Sequence, residues 1–221
     1  MLKKTILLAV VFICFIQVNA QKISYGLGTG LNISAIKNEP VYYRLSDKNL
    51  DAFTGYAFVN NRFSKAFSIQ TEIGYYGFGG IRKDNIQGPA DGIVGQVTTT
   101  TRLNYLHFSL FPTFTIPNTG VSIFAGPAVG FLLSSKTTYQ IEAVHPEYVG
   151  SFITPKYNNL CGFAVAGMGY TMPSGLGLSA RYMYGFENIV SNIYSEYREI
   201  STKIYSFNIC VFYQFKTGNK K

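Results

Sequence analysis

Phe67-Ser68-Ile69-Gln70-Thr71-Glu72-Ile73-Gly74-Tyr75 alternates without a break. Apolar or β-branched residues hold the odd positions, and Ser, Gln, Glu and Gly hold the even ones. The C-terminal stretch does the same. Tyr205, Phe207, Ile209, Val211, Tyr213 and Phe215 form one set, with Ser206, Asn208, Cys210, Phe212 and Gln214 between them. A period of two sends alternate side chains to opposite faces of a β-strand. Several such strands in an exported chain predict a barrel with an apolar outside and a polar or glycine-lined inside, the inverse of a soluble barrel.

The export signal is read from the first twenty residues. Lys3 and Lys4 supply a positive start, Ile6 to Ile16 is almost wholly apolar, and Val18-Asn19-Ala20 ends on a small residue. The apolar run is short for a spanning helix. A lipid anchor at Cys14 is excluded by Ile13, which stands where a small residue is needed. The formal charge is +8, and loss of Lys3 and Lys4 with the leader lowers it to +6. Residues 21–221 are then expected to form a single domain.

Tyr, Phe, Gly, Ser and Thr dominate, there is no Trp and few residues are charged, a composition suited to sheet. Cys161 and Cys210 are not in a metal-like spacing and read as two inert buried thiols, with one disulfide as the alternative. Basic residues are spread through connections (Lys37, Arg44, Lys48, Arg82, Lys83, Lys136, Arg198) and the tail (Lys216, Lys220, Lys221). Without a basic run and interleaved aromatics, nucleic acid is not an expected partner. A solvated rim, anionic lipid headgroups or an acidic partner are the remaining readings.

Strands are predicted near residues 22–34, 51–62, 65–79, 99–115, 120–134, 157–172, 174–187 and 202–216. Three connections are tight turns, centred on Arg62-Phe63-Ser64-Lys65, Pro117-Asn118-Thr119-Gly120 and Met172-Pro173-Ser174-Gly175. The others, about 35–50, 80–98, 135–156 and 188–201, are long and polar. Short periplasmic turns alternating with long outer loops define an eight-stranded antiparallel up-and-down transmembrane barrel.

The pleat gives the register. Ile23, Tyr25, Leu27, Leu31 and Ile33 are expected to face lipid in the first strand. So are Val121, Ile123, Ala125, Val129 and Phe131 in the fifth, and Leu178, Ala180, Tyr182, Tyr184 and Phe186 in the seventh. The second and sixth strands carry small residues on both faces and leave the register open. Tyr25, Tyr75, Tyr105, Tyr170, Tyr184, Tyr205 and Tyr213 are expected in interfacial girdles. A barrel of eight strands barely accommodates its own inward side chains, which argues against a permanently open channel.

Glu72 and Arg181 both fall on inward positions, in strands that face each other across so small a lumen. A buried charge needs a partner, so a Glu72–Arg181 ion pair is expected, with Gln70 and Ser179 supplying further hydrogen bonds. His107 and Ser109 share a face, the spacing of a base and nucleophile. No acid lies near them in sequence, and an inward hydrogen-bonding His107 is the plainer expectation. The loop acids (Glu39, Asp47, Asp51, Asp84, Asp91, Glu142, Glu147, Glu187, Glu196, Glu199) lack metal-loop spacing, so no metal or cofactor is expected. Tyr42, Tyr43, Tyr148, Tyr194 and Tyr197 make the loops candidate contact surfaces. Gly26-x-Gly28-x-Gly30 lies within a strand with no following helix, so it is read as lumen packing and not as a nucleotide loop.

Several segments resemble the PorT-type outer-membrane β-barrel proteins common in Bacteroidetes. They are Gly26-Leu27-Gly28-Thr29-Gly30-Leu31-Asn32, Phe67 to Tyr75, Tyr105-Leu106-His107-Phe108-Ser109-Leu110-Phe111-Pro112, Ala125-Gly126-Pro127-Ala128-Val129-Gly130, Ala180-Arg181-Tyr182-Met183-Tyr184-Gly185 and Phe212-Tyr213-Gln214-Phe215. The resemblance covers nearly the whole mature chain. It implies an outer-membrane barrel without a stated activity, and in some members a link to type IX secretion. Outer-membrane lipid, the barrel assembly machinery and an envelope or secretion protein are the partners it implies. The His-x-Ser pair resembles that of outer-membrane lipid A deacylases, but Leu110 stands where an Asn should follow. The expected function is therefore a non-enzymatic structural or interaction role. The alternatives are an enzyme acting on lipid A, a narrow porin-like channel, and a soluble lipocalin-like barrel.

Overall fold

The computed structural model describes residues 22–39, 46–87, 93–143, 156–190 and 201–215. The leader, the tail lysines, Arg44, Arg198, Tyr42, Tyr43, Tyr148, Tyr194, Tyr197, Asp91, Glu147, Glu196 and Glu199 lie outside these residues. Eight strands follow in order: β1 (Lys22–Glu39), β2 (Ser46–Arg62), β3 (Phe67–Gln87), β4 (Ile93–Thr115), β5 (Val121–Ala143), β6 (Leu160–Thr171), β7 (Leu176–Gly185) and β8 (Ser201–Phe215). Each pairs antiparallel with its sequence neighbours, and β8 returns to β1, so the sheet closes. Closure leaves the lipid-facing belt without a free edge strand, the condition for a sheet to stand in lipid.

The pleat sorts side chains as expected. Leu27, Leu31, Ile73, Phe108, Ile123, Phe131, Leu178, Ile209 and Val211 are exposed on the outer face, while Asn32, Ser68, Glu72, Ala128, Ser179 and Asn208 are buried inside. The two strands left open also settle. Tyr56, Phe58 and Asn60 of β2 point inward, as do Cys161, Phe163 and Val165 of β6. Both cysteines are buried and free. Their side chains do not bridge.

All three tight turns form where turn residues were read. Ser64 Oγ accepts hydrogen bonds from the amides of Ala66 and Phe67 between β2 and β3. Asn118 and Gly120 adopt positive φ (67° and 78°) between β4 and β5, and Gly175 does so (97°) between β6 and β7.

Two expectations are corrected. The connections expected over 35–50 and 80–98 are largely strand, as is the first part of 135–156: β1 runs to Glu39, β2 begins at Ser46, β3 runs to Gln87, β4 begins at Ile93 and β5 ends at Ala143. Lys37, Lys48, Arg82, Lys83 and Lys136 therefore sit in strands. A membrane needs only about 9–11 residues per tilted strand, whereas β4 and β5 each have 23. Beyond the apolar belt no lipid demands an apolar face, so Thr98 to Thr101 pair as sheet without alternation. Tyr105 is the second correction. It is fully buried in the lumen. Tyr25, Tyr75, Tyr170 and Tyr213 are exposed on the belt, and Tyr184 meets Tyr205 (centroids 5.3 Å apart) beneath Lys203 and Lys37.

Candidate functional site in the barrel lumen

The lumen is organised around one ion pair. Glu72 comes from β3 and Arg181 from β7, and Arg181 Nη1 lies 2.7 Å from Glu72 Oε2. Gln70 Nε2 donates to Glu72 Oε1 at 2.6 Å, and Arg181 donates to Tyr76 Oη (3.0 Å) and Ser179 Oγ (3.4 Å). The guanidinium lies 4.6 Å from the Tyr56 ring centroid and 5.4 Å from that of Phe124. Cation–π contact of this kind strengthens when desolvated. Both charges are buried, a situation tolerable only with the pairing and hydrogen bonds observed.

Above the pair, toward the outer end, aromatic side chains fill the cross-section. His107 stacks on Tyr76 (4.7 Å) and packs on Phe163 (4.6 Å) and Phe78 (5.4 Å), and Tyr105 closes the group edge-on. Glycines make the room. A Cβ on Gly130 would stand 2.8 Å from His107 Nε2, and Cβ atoms on Gly26 and Gly28 would strike the rings of Phe58 and Tyr56. Neither ring nitrogen of His107 has a hydrogen-bond partner among the described residues. The expected hydrogen-bonding role is thus replaced by stacking. Ser109 is the ladder partner of Glu72, so an acid does stand beside it in space. No hydrogen bond joins Ser109, His107 and Glu72 to one another.

Sequence reasoning missed a second polar network. The β2–β3 ladder skips between Asn49 and Thr54, leaving backbone groups of β3 without β2. Side chains of β1 reach them: Asn32 Nδ2 donates to Gly77 O at 2.6 Å, while Ser34 Oγ donates to Gly79 O (3.0 Å) and accepts from Gly79 N (2.7 Å). Asn208 Nδ2 donates to Thr54 Oγ1 beside them (3.1 Å). The signal was present in Gly77-Phe78-Gly79-Gly80, a glycine cluster within a strand, which marks a bulge or a close approach.

Below the pair, toward the short turns, the lumen opens into a cavity of about 580 Å³. Arg62 and Lys65 stand at its mouth, Phe58, Phe124 and Phe212 form walls, and Tyr56 and Arg181 form its inner end. Among the described residues, no group of three or more His, Cys, Asp or Glu is placed to hold a metal ion.

A closed eight-stranded barrel with an apolar belt outside, charges paired inside and short turns at one end is an integral outer-membrane protein. The comparisons agree. Residues 19–191 match the family model described as "Outer membrane protein beta-barrel domain", and the chain belongs to that family. Solved structures to which the chain is similar include Ail, the attachment invasion locus protein of Yersinia pestis (14% identity, 87% of this chain and 98% of that chain, TM-score 0.46). Neisserial surface protein A is another (11% identity, 88% and 99%, TM-score 0.48), as is OprG from Pseudomonas aeruginosa (14%, 89% and 96%, TM-score 0.37). No curated protein matches the chain.

Proposed function

We propose that this outer-membrane barrel is a non-enzymatic envelope component that anchors in lipid and presents the projecting parts of β3, β4 and β5 to a protein partner outside the cell. The observation that carries the reading is the length of those strands, which exceeds what the bilayer requires. β5 also continues past Phe131, where its ladder with β6 ends, and an extended sheet edge is a template for strand pairing. The packed aromatic group above the Glu72–Arg181 pair favours an anchor over a solute path. The stacked, unpartnered His107 favours structure over catalysis.

Replacing residues 84–97 with an Asn-Gly turn tests this reading. The expected variant still migrates as a heat-modifiable barrel but loses its cross-links to surface partners in intact cells. Retained cross-links would remove the proposal. The resemblance to PorT-type proteins extends it to a secretion-associated role: deletion of the gene is expected to stop release of type IX cargo, and normal release sinks that branch. Ser109→Ala is expected to leave lipid A unchanged. Altered lipid A would reinstate the enzyme. Outer-membrane lipid and the barrel assembly machinery are the remaining partners of this reading.

A further inference from the structure

The half of the lumen that opens between the β2–β3 and β4–β5 turns has no part in the outward-facing role. Its volume, about 580 Å³, falls within the range of roughly 300–1,000 Å³ typical of small-molecule sites. It also has their mixture of ring faces and a few convergent polar groups.

Charge decides the ligand class. The described lining residues include Arg62, Lys65 and Arg181 and no Asp or Glu. Glu72 sits behind Arg181 and does not line the space. Two polar atoms at the cavity are buried without a hydrogen-bond partner among the described residues: Arg181 Nε and Asn60 Oδ1. Both belong to residues more than nine-tenths buried. Neither atom is open to the cavity, whose inner end presents the Tyr56 ring beside the Glu72-paired guanidinium. The Asn60 amide can turn to present either its oxygen or its N–H. Phe58, Phe124 and Phe212 offer apolar surface between this inner end and the cationic mouth.

We infer that this vestibule binds an amphipathic organic anion from the periplasmic side. Arg62 and Lys65 draw the acid group to the mouth, the body lies on the three phenylalanine rings, and its far end stops against Tyr56 and Arg181. The ligand is either a soluble periplasmic acid or the anionic head and upper chain of an inner-leaflet lipid. The chemistry is the same. The chain's own tail fits poorly, because Lys216, Lys220 and Lys221 would bring like charge to the mouth.

The test uses the full-length mature barrel in phosphatidylcholine nanodiscs, with dansyl-glycine as the anionic probe and dansylamide as its neutral counterpart, each corrected for empty discs. Dansyl-glycine is expected to bind, and Arg62→Gln with Lys65→Gln to weaken it about tenfold without changing dansylamide. Ser122→Phe, which fills the cavity from β5, should abolish binding while the barrel stays heat-modifiable. Equal affinity for both probes, no loss in the Gln variant, or unchanged binding to Ser122→Phe would each overturn the inference. Competition by phosphatidylglycerol added to the discs assigns the lipid source, and its absence assigns a soluble acid. Truncation after Phe215 should leave affinity unchanged. A marked rise would make the tail the native occupant and overturn the proposal.

Discussion

The two halves of the lumen share one set of strands and solve opposite problems. Toward the outer end, β3, β4 and β6 each send large rings inward, Tyr76 and Phe78, Tyr105 and His107, and Phe163, while Gly130 and Gly185 yield space beside His107 and Phe163. Toward the periplasmic end Phe58, Phe124 and Phe212 are interspersed with medium polar residues, Asn60, Gln70, Thr113, Ser122 and Gln214, and a cavity remains. Barrel width is nearly constant for a fixed strand number. Filling is therefore decided by side-chain size alone, and the Glu72–Arg181 pair marks the boundary. One half is a plug and the other a receptacle.

Breaking the boundary gives the largest expected effect. Glu72→Ala leaves Arg181 buried without its counter-charge, at a cost of about 3–5 kcal/mol. Urea unfolding in lipid vesicles should show a lower midpoint with little change in slope. Glu72→Gln combined with Arg181→Met should recover most of the loss, because no charge is then left buried without its partner and Gln70 and Tyr76 still hydrogen-bond the side chain at position 72. If the single variant unfolds like the wild type, the pair is not what holds the two halves together. Phe163→Ala attacks the plug itself. It removes a ring that touches His107, Tyr105 and Phe78, and a buried Phe→Ala change costs about 3 kcal/mol. Discrete conductance steps in planar bilayers should appear in this variant and be absent from the wild type.

The parts legible in the sequence were those governed by lipid. Ile23, Leu27 and Leu31 had to face out, which fixed Asn32 and Gly28 as inward, and the same parity put Glu72 and Arg181 in one lumen. The plug was illegible for a related reason. Phe78 and Phe163 are apolar residues on the inner face, where polar ones were expected. β6, reading Leu160-Cys161-Gly162-Phe163-Ala164-Val165-Ala166, has small or apolar residues on both sides. Tyr105 went to the wrong face because tyrosine suits both a girdle and a lumen. The projecting strands were hidden by the end of the belt: once neither face is apolar, as in Gln96-Val97-Thr98-Thr99-Thr100-Thr101, strand and loop look alike.

The bulge network ranks next. Asn32→Ala strands Gly77 O beside the skipped β2 ladder, and a lost partner at a buried carbonyl costs about 1–3 kcal/mol. Amide exchange at Gly79 and neighbouring residues of β3 should quicken while the β6–β7 hairpin keeps its protection. Uniform quickening would instead mean that the bulge has no local role and that Asn32 contributes only to global stability.

His107→Phe should have the smallest effect, and its sign is informative. His107 is enclosed by Tyr76, Phe78, Tyr105 and Phe163, and its nitrogens have no hydrogen-bond partner among the described residues. A residue present for hydrogen bonding loses stability when that capacity is removed. A residue present as a flat ring does not, and near-isosteric apolar exchanges in a packed interior shift stability by less than about 1.5 kcal/mol. Phenylalanine is slightly larger than histidine and must pass the Gly130 backbone, where His107 Nε2 already leaves only 2.8 Å to a notional Cβ. A small gain in the urea midpoint means that burying an unsatisfied imidazole outweighed that crowding, and the plug is wholly apolar in character. A loss beyond the isosteric range that is also shown by His107→Met, which lacks the wider ring, means that a proton or hydrogen bond on the imidazole matters and returns His107 and Ser109 to consideration as a chemical pair. A loss confined to His107→Phe reports crowding against Gly130.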